Sequence, residues 1–563
     1  MRQIDRRIGD CSHLVGVSTG SWWREWEIGL LTLLVVVVYL SRLDAISLRG
    51  EETRRAGIAI EMIRSGDWIV PRLQDRPVFF RPPLQNWAIA VVGLWRGRVD
   101  TTAIRVPTVI ALLLTTLLIY AYSRSFLSRL GALSAAVAFA TMGEVMQTGR
   151  LGETDMLLTL FISSSLLVWH YGRVRDWPAI WVWSGGYLLA ALAVLTKGPQ
   201  GILYFAGPVG TFLVVTGHWR EAFRWSHLVG ILVFLAVLGA WQVPYYLAQG
   251  WEGIRGMYWH EVAIRFGDSR WLTITKHLVT YPAEVLGCML PWSVLLLAYL
   301  NRGFRETIGL VREQILFLIC CIAVTFPTCW FVWEARTRYF MPLYPCFAPL
   351  IGLVVQRCYE GGADQAWRTL WPRFLGVLAV LMLIAGVFVT GATVIDDGSF
   401  PIGQPAWFAV AYLLAAAVLA CATWRSRVAT TTTQIRIGVL SVAIFLGLTS
   451  TGVRSNVLIR ISEPTAKAVA DLKQHLPADA QLVSIGPIHH LFAYYYGDPI
   501  PIISYSTQGN ALPVIGGYFC SGTDYSPPVE VNFPWEKIAV ISCERRHKPR
   551  PRMVVVVGRR LPE

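Results

Sequence analysis

Long apolar segments alternate with short polar ones along most of this chain. Each apolar segment is close to the ~20 residues that a helix needs to cross a bilayer, and about thirteen of them can be counted. They cover residues 26–43, 104–122, 131–148, 155–171, 179–196, 201–216, 227–247, 283–300, 314–331, 339–355, 374–390, 406–424 and 435–452. The pattern predicts a polytopic α-helical membrane protein with about 13 transmembrane helices.

A long polar segment, residues 48–87, separates the first two predicted spans. Within it, Ala56, Ala59 and Ile63 recur at helical spacing and form one apolar face. Gly66 follows as a stop signal, because glycine tolerates the left-handed conformation just past a helix end. A helix that is apolar on one face and charged on the other is expected to lie along a membrane surface.

The distribution of Lys and Arg predicts the orientation of the chain. If the N-terminus is cytoplasmic, every short cytoplasmic loop is basic, which is the positive-inside pattern. The long loop between the seventh and eighth spans is also basic although it is predicted outside. The predicted orientation is N-terminus inside and C-terminus outside, with residues 44–103 on the extracytoplasmic face. Residues 84–95 are apolar but too short to span, which predicts an interfacial or re-entrant helix.

Composition agrees with this picture. The chain has 563 residues, of which 54% are hydrophobic and 15% charged, whereas soluble domains carry about 25% charged residues. The net charge of +14 lies mostly in short loops, so it is a signal of topology and not of nucleic-acid binding. The first apolar segment has no small-residue cleavage site, which predicts an anchor. We therefore expect an integral protein of the cytoplasmic (inner) membrane.

From about residue 454 the composition changes to that of a small soluble domain. Helical spacing at 465–476 and strand-like runs at 481–485, 538–542 and 553–557 predict an extracytoplasmic α/β domain. The predicted domains are a cytoplasmic N-terminus (1–25), a transmembrane domain (26–453) that includes the first outer loop (44–103), and the α/β domain (454–563). Cys520 and Cys543 are candidates for a disulfide if this domain is outside. The other cysteines are scattered, without metal-ligand spacing.

Charged and polar residues gather at the predicted outward ends of the spans. The candidates are Glu51, Glu52, Asp155, Arg54, Arg81, Lys197, Arg265 and Tyr339. Charges at the edge of the hydrocarbon are costly and usually functional. Carboxylates among many cations on one face suit an anionic substrate and a catalytic base.

Each of these residues also has a structural interpretation. Glu51 and Glu52 favour the dipole at a helix start and pair with the arginines that follow. Asp155 suits an N-terminal cap, and Lys197 suits a snorkelling anchor at a helix end. Tyr339 and the arginines before it suit an interfacial belt. The functional interpretation depends on their joint placement on one side.

Five segments in order resemble membrane glycosyltransferases of the GT-C class, above all the aminoarabinose transferases that modify lipid A and the protein O-mannosyltransferases. They read GEETRRAGIAIEMIRSGDWIVPRLQDRPVFFRPPLQNW, GRLGETDMLL, LTKGPQG, HEVAIRF and EARTRYFMPLYP. The resemblance covers about residues 26–350 in motif detail. Two positions differ from the family pattern: the acidic pair, usually Asp-Glu, is Glu51-Glu52, and the usual lysine before Pro-Pro is Arg81.

The resemblance implies transfer of a sugar from a polyprenyl-phosphate donor to a hydroxyl or phosphate of a lipid, glycan or protein, with inversion at the anomeric carbon. Glu51 is the expected base, and Asp155 and Glu52 complete the catalytic set. The donor phosphate is expected on Arg54, Arg81, Lys197, Arg265 and Tyr339. A leaving group that is already a phosphate requires no cofactor, although a divalent cation is compatible with it. No nucleic-acid partner is expected.

A second interpretation comes from another class: a polyprenyl-lipid binding or flipping protein without transferase activity. Charges at the membrane midplane and paired broken helices would favour it, whereas the charges here are predicted at the outer edge. The substitution Glu51→Gln separates the two interpretations. An enzyme loses turnover and keeps donor binding, while a binding protein loses little.

Overall fold

The computed structural model describes residues 25–79, 81–265, 271–333, 335–360, 366–395, 405–428, 431–460, 465–477, 480–503, 517–522, 531, 533–543 and 553–561. It contains two compact units. The first lies within Met1–Leu43, Phe80–Gln85 and Arg105–Val457, and the second within Asp44–Phe79, Asn86–Ile104 and Leu458–Glu563.

Helices make up most of the described chain. They are α1 (Trp26–Val35), α2 (Glu52–Ser65), α3 (Leu84–Arg96), α4 (Thr101–Ser123), α5 (Arg129–Ala140), α6 (Gly143–Thr148), α7 (Thr154–Val174), α8 (Ala179–Lys197), α9 (Gln200–Val215), α10 (Trp225–Arg265), α11 (Trp271–Cys288), α12 (Arg302–Glu306), α13 (Arg312–Thr325), α14 (Pro327–Trp330), α15 (Tyr344–Glu360), α16 (Leu370–Val394), α17 (Ala406–Arg427), α18 (Thr432–Leu448), α19 (Ser455–Arg460), α20 (Thr465–His475) and α21 (His490–Tyr496). Single π-helical turns continue α1 and α18, at Val36–Leu40 and Thr449–Arg454, and 3₁₀ segments include Trp292–Leu300 and Thr337–Leu343.

The strands are β1 (Arg72–Leu73), β2 (Arg76–Pro77), β3 (Leu482–Ile485), β4 (Ile502–Ile503), β5 (Tyr518–Gly522), β6 (Trp535–Ser542) and β7 (Val554–Arg560). β1 and β2 form a small antiparallel pair. The other five strands form one mixed sheet in the order β4-β3-β5-β7-β6.

The membrane-spanning character of the first unit follows from its apolar helices. Among the described residues, eight helical stretches are long and apolar enough to cross a bilayer, or nine if the pair Thr273–Cys288 and Trp292–Leu300, bent by 115°, counts as one span. Three shorter apolar helices are Trp26–Leu40, Arg129–Ala140 and Gln200–Val215. Every predicted span falls on one of these or on α7, so the prediction of a polytopic α-helical membrane protein is confirmed.

Helix α7 carries Asp155 in its first turn and is held by an aromatic cluster at its other end. The rings of Trp169 and His170 both stack on Phe317 of α13, with centroid distances of 6.0 and 4.2 Å. All three side chains are almost completely buried. Stacked aromatic rings of this size contribute strongly to a core, so the position of α7 is well determined.

Helix α10 is not continuous. At Gly250 the backbone has φ +64° and ψ −165°, which breaks the helix between two helical halves. A φ in this range is readily adopted by glycine and costly for residues with a Cβ. The second half of α10 therefore takes its own direction from this point.

The second unit contains the loop between the first two predicted spans together with the C-terminal α/β region. In the sheet, β3 pairs in parallel with β4 and β5, while β7 pairs antiparallel with β5 and β6. The predicted small C-terminal α/β domain is confirmed. The contacts group residues 44–79 and 86–104 with this domain, a grouping that the sequence did not indicate.

The two cysteines considered for a disulfide are buried, and the structure contains no disulfide between them. Cys520 lies on β5 and Cys543 directly follows β6, with β7 between these two strands. Strands are about 4.8 Å apart, so the two backbones are about 9–10 Å apart. A disulfide needs Cα atoms within about 7 Å, which explains why the two sulfur atoms are not joined by a disulfide.

Close packing of α5 on α15 is expected to tolerate no side chain at Gly352. A Cβ at this position would overlap the carbonyl oxygen of Gly131 and lie 2.9 Å from Cβ of Ala135. We predict that Gly352→Ala lowers the free energy of unfolding by about 1–3 kcal/mol, the usual cost of overpacking, and lowers the melting temperature measured in detergent. Gly391→Ala, where a Cβ would meet nothing within 4 Å, is the control. Equal melting temperatures for the two variants would contradict this packing.

Candidate active site

Asp155 lies inside the first turn of α7 and does not cap it, because the N-cap residue is Glu153. Its carboxylate Oδ1 accepts a hydrogen bond from Nζ of Lys197, which ends α8. Its second oxygen, Oδ2, lies 3.6 Å from Nη1 of Arg338. The carboxylate thus pairs with cations from two other segments while its own side chain is only 4% exposed.

Lys197 is enclosed and does not reach towards solvent. Its side chain is 3% exposed, and Nζ lies over the ring of Tyr339 at 4.5 Å from the centroid. The backbone turns directly after it at Gly198, where φ is +111°, and α9 begins two residues later. Asp155 and the aromatic face therefore fix one ammonium group at the meeting point of three segments.

Other charged side chains interact electrostatically with Asp155, Lys197 and Arg338. Arg81 interacts electrostatically with both Asp155 and Lys197, while Glu144 and Glu153 act on Arg338. Negative and positive side chains are thus close together in this region. We call Asp155, Lys197, Arg338 and Tyr339 the ion cluster.

A cavity of about 570 Å³ lies against the ion cluster. Its lining includes Lys197 and Tyr339 together with apolar and aromatic side chains such as Leu203, Tyr204 and Met257. This volume is in the range that holds a drug-sized ligand. An apolar cavity with one fixed cation suits an amphiphile that has an anionic head.

One wall of this cavity belongs to the part of α10 beyond Gly250. Met257 and Tyr258 line the cavity, and the hydroxyl of Tyr258 donates to Oε1 of Gln242, before the break, at 2.8 Å. This hydrogen bond links the two halves of α10 across Gly250.

Glu51 and Glu52, in the second unit, have different environments. Glu51 is the N-cap residue of α2, and its Oε2 lies 2.6 Å from Nη1 of Arg54, with the Glu51 side chain 38% exposed. Glu52 is completely buried, and its Oε2 accepts from the backbone N–H of Arg49 at 2.7 Å. The first carboxylate is accessible, while the second holds the turn that precedes the helix.

The predicted site residues thus fall into groups. Asp155, Lys197 and Tyr339 come together in the ion cluster, with Arg81 acting on it, while Glu51 contacts Arg54 in the second unit. Arg265 ends α10, and its side chain lies outside the described residues. Among the described side chains, no group of three or more His, Cys, Asp or Glu could hold a metal ion.

Arg338 was considered only as an interface anchor from the sequence, yet it pairs with Asp155. Two arginines lie within three residues of Tyr339 on its N-terminal side: Arg338 is inside the 3₁₀ segment Thr337–Leu343, and Arg336 is the N-cap of that segment. Sequence alone does not say which of the two arginines points inward.

The helices and the small α/β domain have the fold of the GT-C class of membrane glycosyltransferases. The solved structure of ArnT from Cupriavidus metallidurans bound to undecaprenyl phosphate matches with a TM-score of 0.66, covering 94% of this chain and 98% of that chain at 18% identity. That likeness shows the shared fold.

Sequence relatives agree with the predicted resemblance. Residues 80–241 match the family model described as dolichyl-phosphate-mannose-protein mannosyltransferase. An undecaprenyl phosphate-alpha-4-amino-4-deoxy-L-arabinose arabinosyl transferase 2 of Proteus mirabilis is 29% identical over 387 residues, 67% of this chain and 66% of that protein. The corresponding transferase of Photorhabdus laumondii is 25% identical over 374 residues, 64% of this chain and 65% of that protein. The matches span slightly less than two thirds of these relatives, and the chain resembles the aminoarabinose transferases, as its motifs predicted.

The ion cluster predicts a strong effect of Asp155→Asn on stability. The substitution leaves the buried ammonium of Lys197 without its charged partner, and breaking a buried ion pair from one side costs about 3–5 kcal/mol. Melting in detergent is expected to occur at a clearly lower temperature. Asp498→Asn is the control, because Asp498 is 66% exposed in its pair with Lys473 and exposed pairs contribute little. Similar melting shifts for both variants would show that the Asp155 pair is not buried as described.

Proposed function

We propose that this chain is a membrane glycosyltransferase that moves a sugar from a polyprenyl-phosphate donor to a hydroxyl or phosphate acceptor. The acceptor is a lipid, a glycan or a protein, and the transfer takes place at the extracytoplasmic face of the cytoplasmic membrane with inversion at the anomeric carbon. The C-terminal α/β domain lies on the same side in this proposal.

The observation that carries the proposal is the position of Lys197. It lines the apolar cavity and is held by Asp155 and the ring of Tyr339. A polyprenyl phosphate has the matching chemistry, since its isoprenoid units favour the apolar lining and its phosphate favours a fixed cation. The cavity volume suits the head and the nearest isoprenoid units.

The comparisons support the donor class. The ArnT structure named above contains undecaprenyl phosphate, and the two named relatives are transferases of an undecaprenyl-phosphate-linked aminoarabinose. We propose an undecaprenyl-phosphate sugar as the donor of this chain and leave the sugar and the acceptor to experiment.

In the proposed reaction, an acceptor oxygen attacks the anomeric carbon as the bond from that carbon to the phosphate oxygen breaks. The leaving electron pair stays on the polyprenyl phosphate, and Lys197, with Arg81, Arg54, Arg265 and Tyr339, stabilises the growing negative charge. A hydroxyl acceptor gives its proton to the Glu51 carboxylate. A phosphate acceptor is already ionised and needs no base.

The two other acids have supporting roles in this mechanism. Asp155 holds Lys197 in place, and Glu52 holds the turn from which α2 and Glu51 start. No step requires a metal, and a divalent cation would add to the charge on the phosphate.

The experiment uses full-length protein in nanodiscs with a panel of radiolabelled polyprenyl-phosphate sugars and a membrane extract as acceptor source. Glu51→Gln should reduce turnover of a hydroxyl acceptor by about 10²–10⁴-fold, the usual contribution of a general base, and should keep donor binding. Lys197→Met should weaken donor binding and turnover together. Lys276→Met, which removes an exposed lysine, is the matched control and should behave as wild type.

The other outcomes are equally informative. Donor binding by the wild type without turnover in any extract would favour the polyprenyl-lipid binding protein. Absence of any interaction with any donor would contradict both functions. A Lys197→Met variant that binds donor as tightly as wild type would remove Lys197 from the phosphate site.

A further inference from the structure

A direct contact joins the C-terminal domain to the turn that carries Glu51. Oγ1 of Thr53, in the first turn of α2, lies 2.7 Å from Nδ1 of His490, and this hydrogen bond is buried. His490 is 5% exposed and Thr53 is 1% exposed. The two residues are 437 positions apart in the chain, so the contact depends entirely on the fold of the second unit.

The local structure around His490 holds this residue at the start of a helix in the C-terminal domain. It follows the buried strand β3 after a turn at Gly486, where φ is +76°, and it begins α21. His489 is the N-cap of α21 and accepts from the backbone N–H of Leu491 at 3.2 Å. The strand β3 that leads to this turn pairs in parallel with a neighbour on each side, β4 and β5.

Two further contacts support the same arrangement. The Tyr494 hydroxyl of α21 donates to the carbonyl of Val99 at 3.1 Å, and the N–H of Ile488 donates to Oε1 of Gln74 at 3.3 Å. The Tyr494 ring packs against a small core whose buried members come from the first loop and the start of α4. The C-terminal domain therefore contacts the first loop at Thr53, Gln74 and Val99.

The side chains of the N-cap residue and of the first two residues of α2 have separate partners. Glu51 contacts Arg54, Glu52 bonds back to the chain at Arg49, and Thr53 bonds to His490. The hydrogen bonds of Glu52 and Thr53 fix the rotation of the first turn about the helix axis. The backbone of the N-cap residue Glu51 is joined to this turn, because its carbonyl accepts from the N–H of Arg55 at 3.0 Å. Rotation of the turn would break both hydrogen bonds, of which the one between Thr53 and His490 is buried.

We propose that His490 is a positioning residue for Glu51: through its hydrogen bond to Thr53, the C-terminal domain sets the rotation of the first turn of α2 and thus the direction of the Glu51 carboxylate. This inference rests on the proposed function, in which Glu51 is the base. It gives the C-terminal domain a role in the reaction without contact between His490 and the substrate.

The charge state of His490 agrees with this role. Burial is the main cause that lowers the pKa of His490 to about 2, and neighbouring positive charges add to the effect. The imidazole is therefore neutral at physiological pH and keeps one ring nitrogen as a donor and the other as an acceptor.

The experiment compares matched pairs of substitutions in the full-length protein. Thr53→Val removes the hydroxyl at nearly constant shape, whereas Thr53→Ser keeps it. His490→Leu removes the polar atom, whereas His490→Asn keeps an amide atom bonded to Cγ as Nδ1 is. We expect Thr53→Val and His490→Leu to lower kcat about tenfold to a hundredfold, the scale of a misplacement near 1 Å, with little change in the donor KM.

Thr53→Ser and His490→Asn should recover most of kcat, and the double variant Thr53→Val/His490→Leu should be no worse than either single one, because both remove the same bond. His475→Ala, an exposed histidine in α20 of the same domain, is the control and should leave kcat unchanged. If His490→Leu does not fold, the nearly isosteric Thr53→Val still tests the contact.

Amide hydrogen exchange gives a second readout that does not depend on turnover. Exchange at the first turn of α2 should become faster in Thr53→Val, while exchange in β3 and β5 should not change. Wild-type kcat in Thr53→Val, or equal losses in Thr53→Val and Thr53→Ser, would overturn the positioning role. A wild type without turnover would contradict the proposed function, and unchanged exchange in α2 would separately contradict this contact.

Discussion

The ion pair between Asp155 and Lys197 is the interaction on which the arrangement of the first unit's candidate site depends. Charges that are almost completely shielded from water are costly unless they are paired, so the start of α7, the end of α8 and the segment with Arg338 and Tyr339 must meet. The aromatic stacking at the far end of α7 fixes that helix independently. Lys197 is consequently presented to the apolar cavity by two constraints, one ionic and one steric.

Two adjacent glutamates show how one residue type serves different purposes. Glu52 is buried and bonds to the backbone of Arg49, which makes the turn before α2. Glu51 is partly exposed, and its carboxylate contacts the guanidinium of Arg54. The two neighbouring carboxylates thus differ both in exposure and in the group that each one contacts.

The sequence predicted the helices well, because a span of about 20 apolar residues has few alternatives in a bilayer. It also placed Asp155, Lys197 and Tyr339 in one predicted site, and the structure brings these three together in the ion cluster. It did not reveal β4, β5 and α21, which are short and carry little periodicity. The bond between Thr53 and His490 had no local signal, because only the folded chain joins positions so far apart. The sequence also left open whether Cys520 and Cys543 form a disulfide, because residue spacing does not reveal that β7 lies between β5 and β6.

The break at Gly250 determines more than the shape of α10. Met257 and Tyr258 stand on the far side of it and form part of the cavity wall, so the location of that wall follows from the torsion angles of a single residue. Across the break, the hydroxyl of Tyr258 donates a hydrogen bond to Gln242 and so connects the two halves of α10. The width of the cavity thus depends on backbone rotation at one residue and on one hydrogen bond, in addition to the side chains that line it.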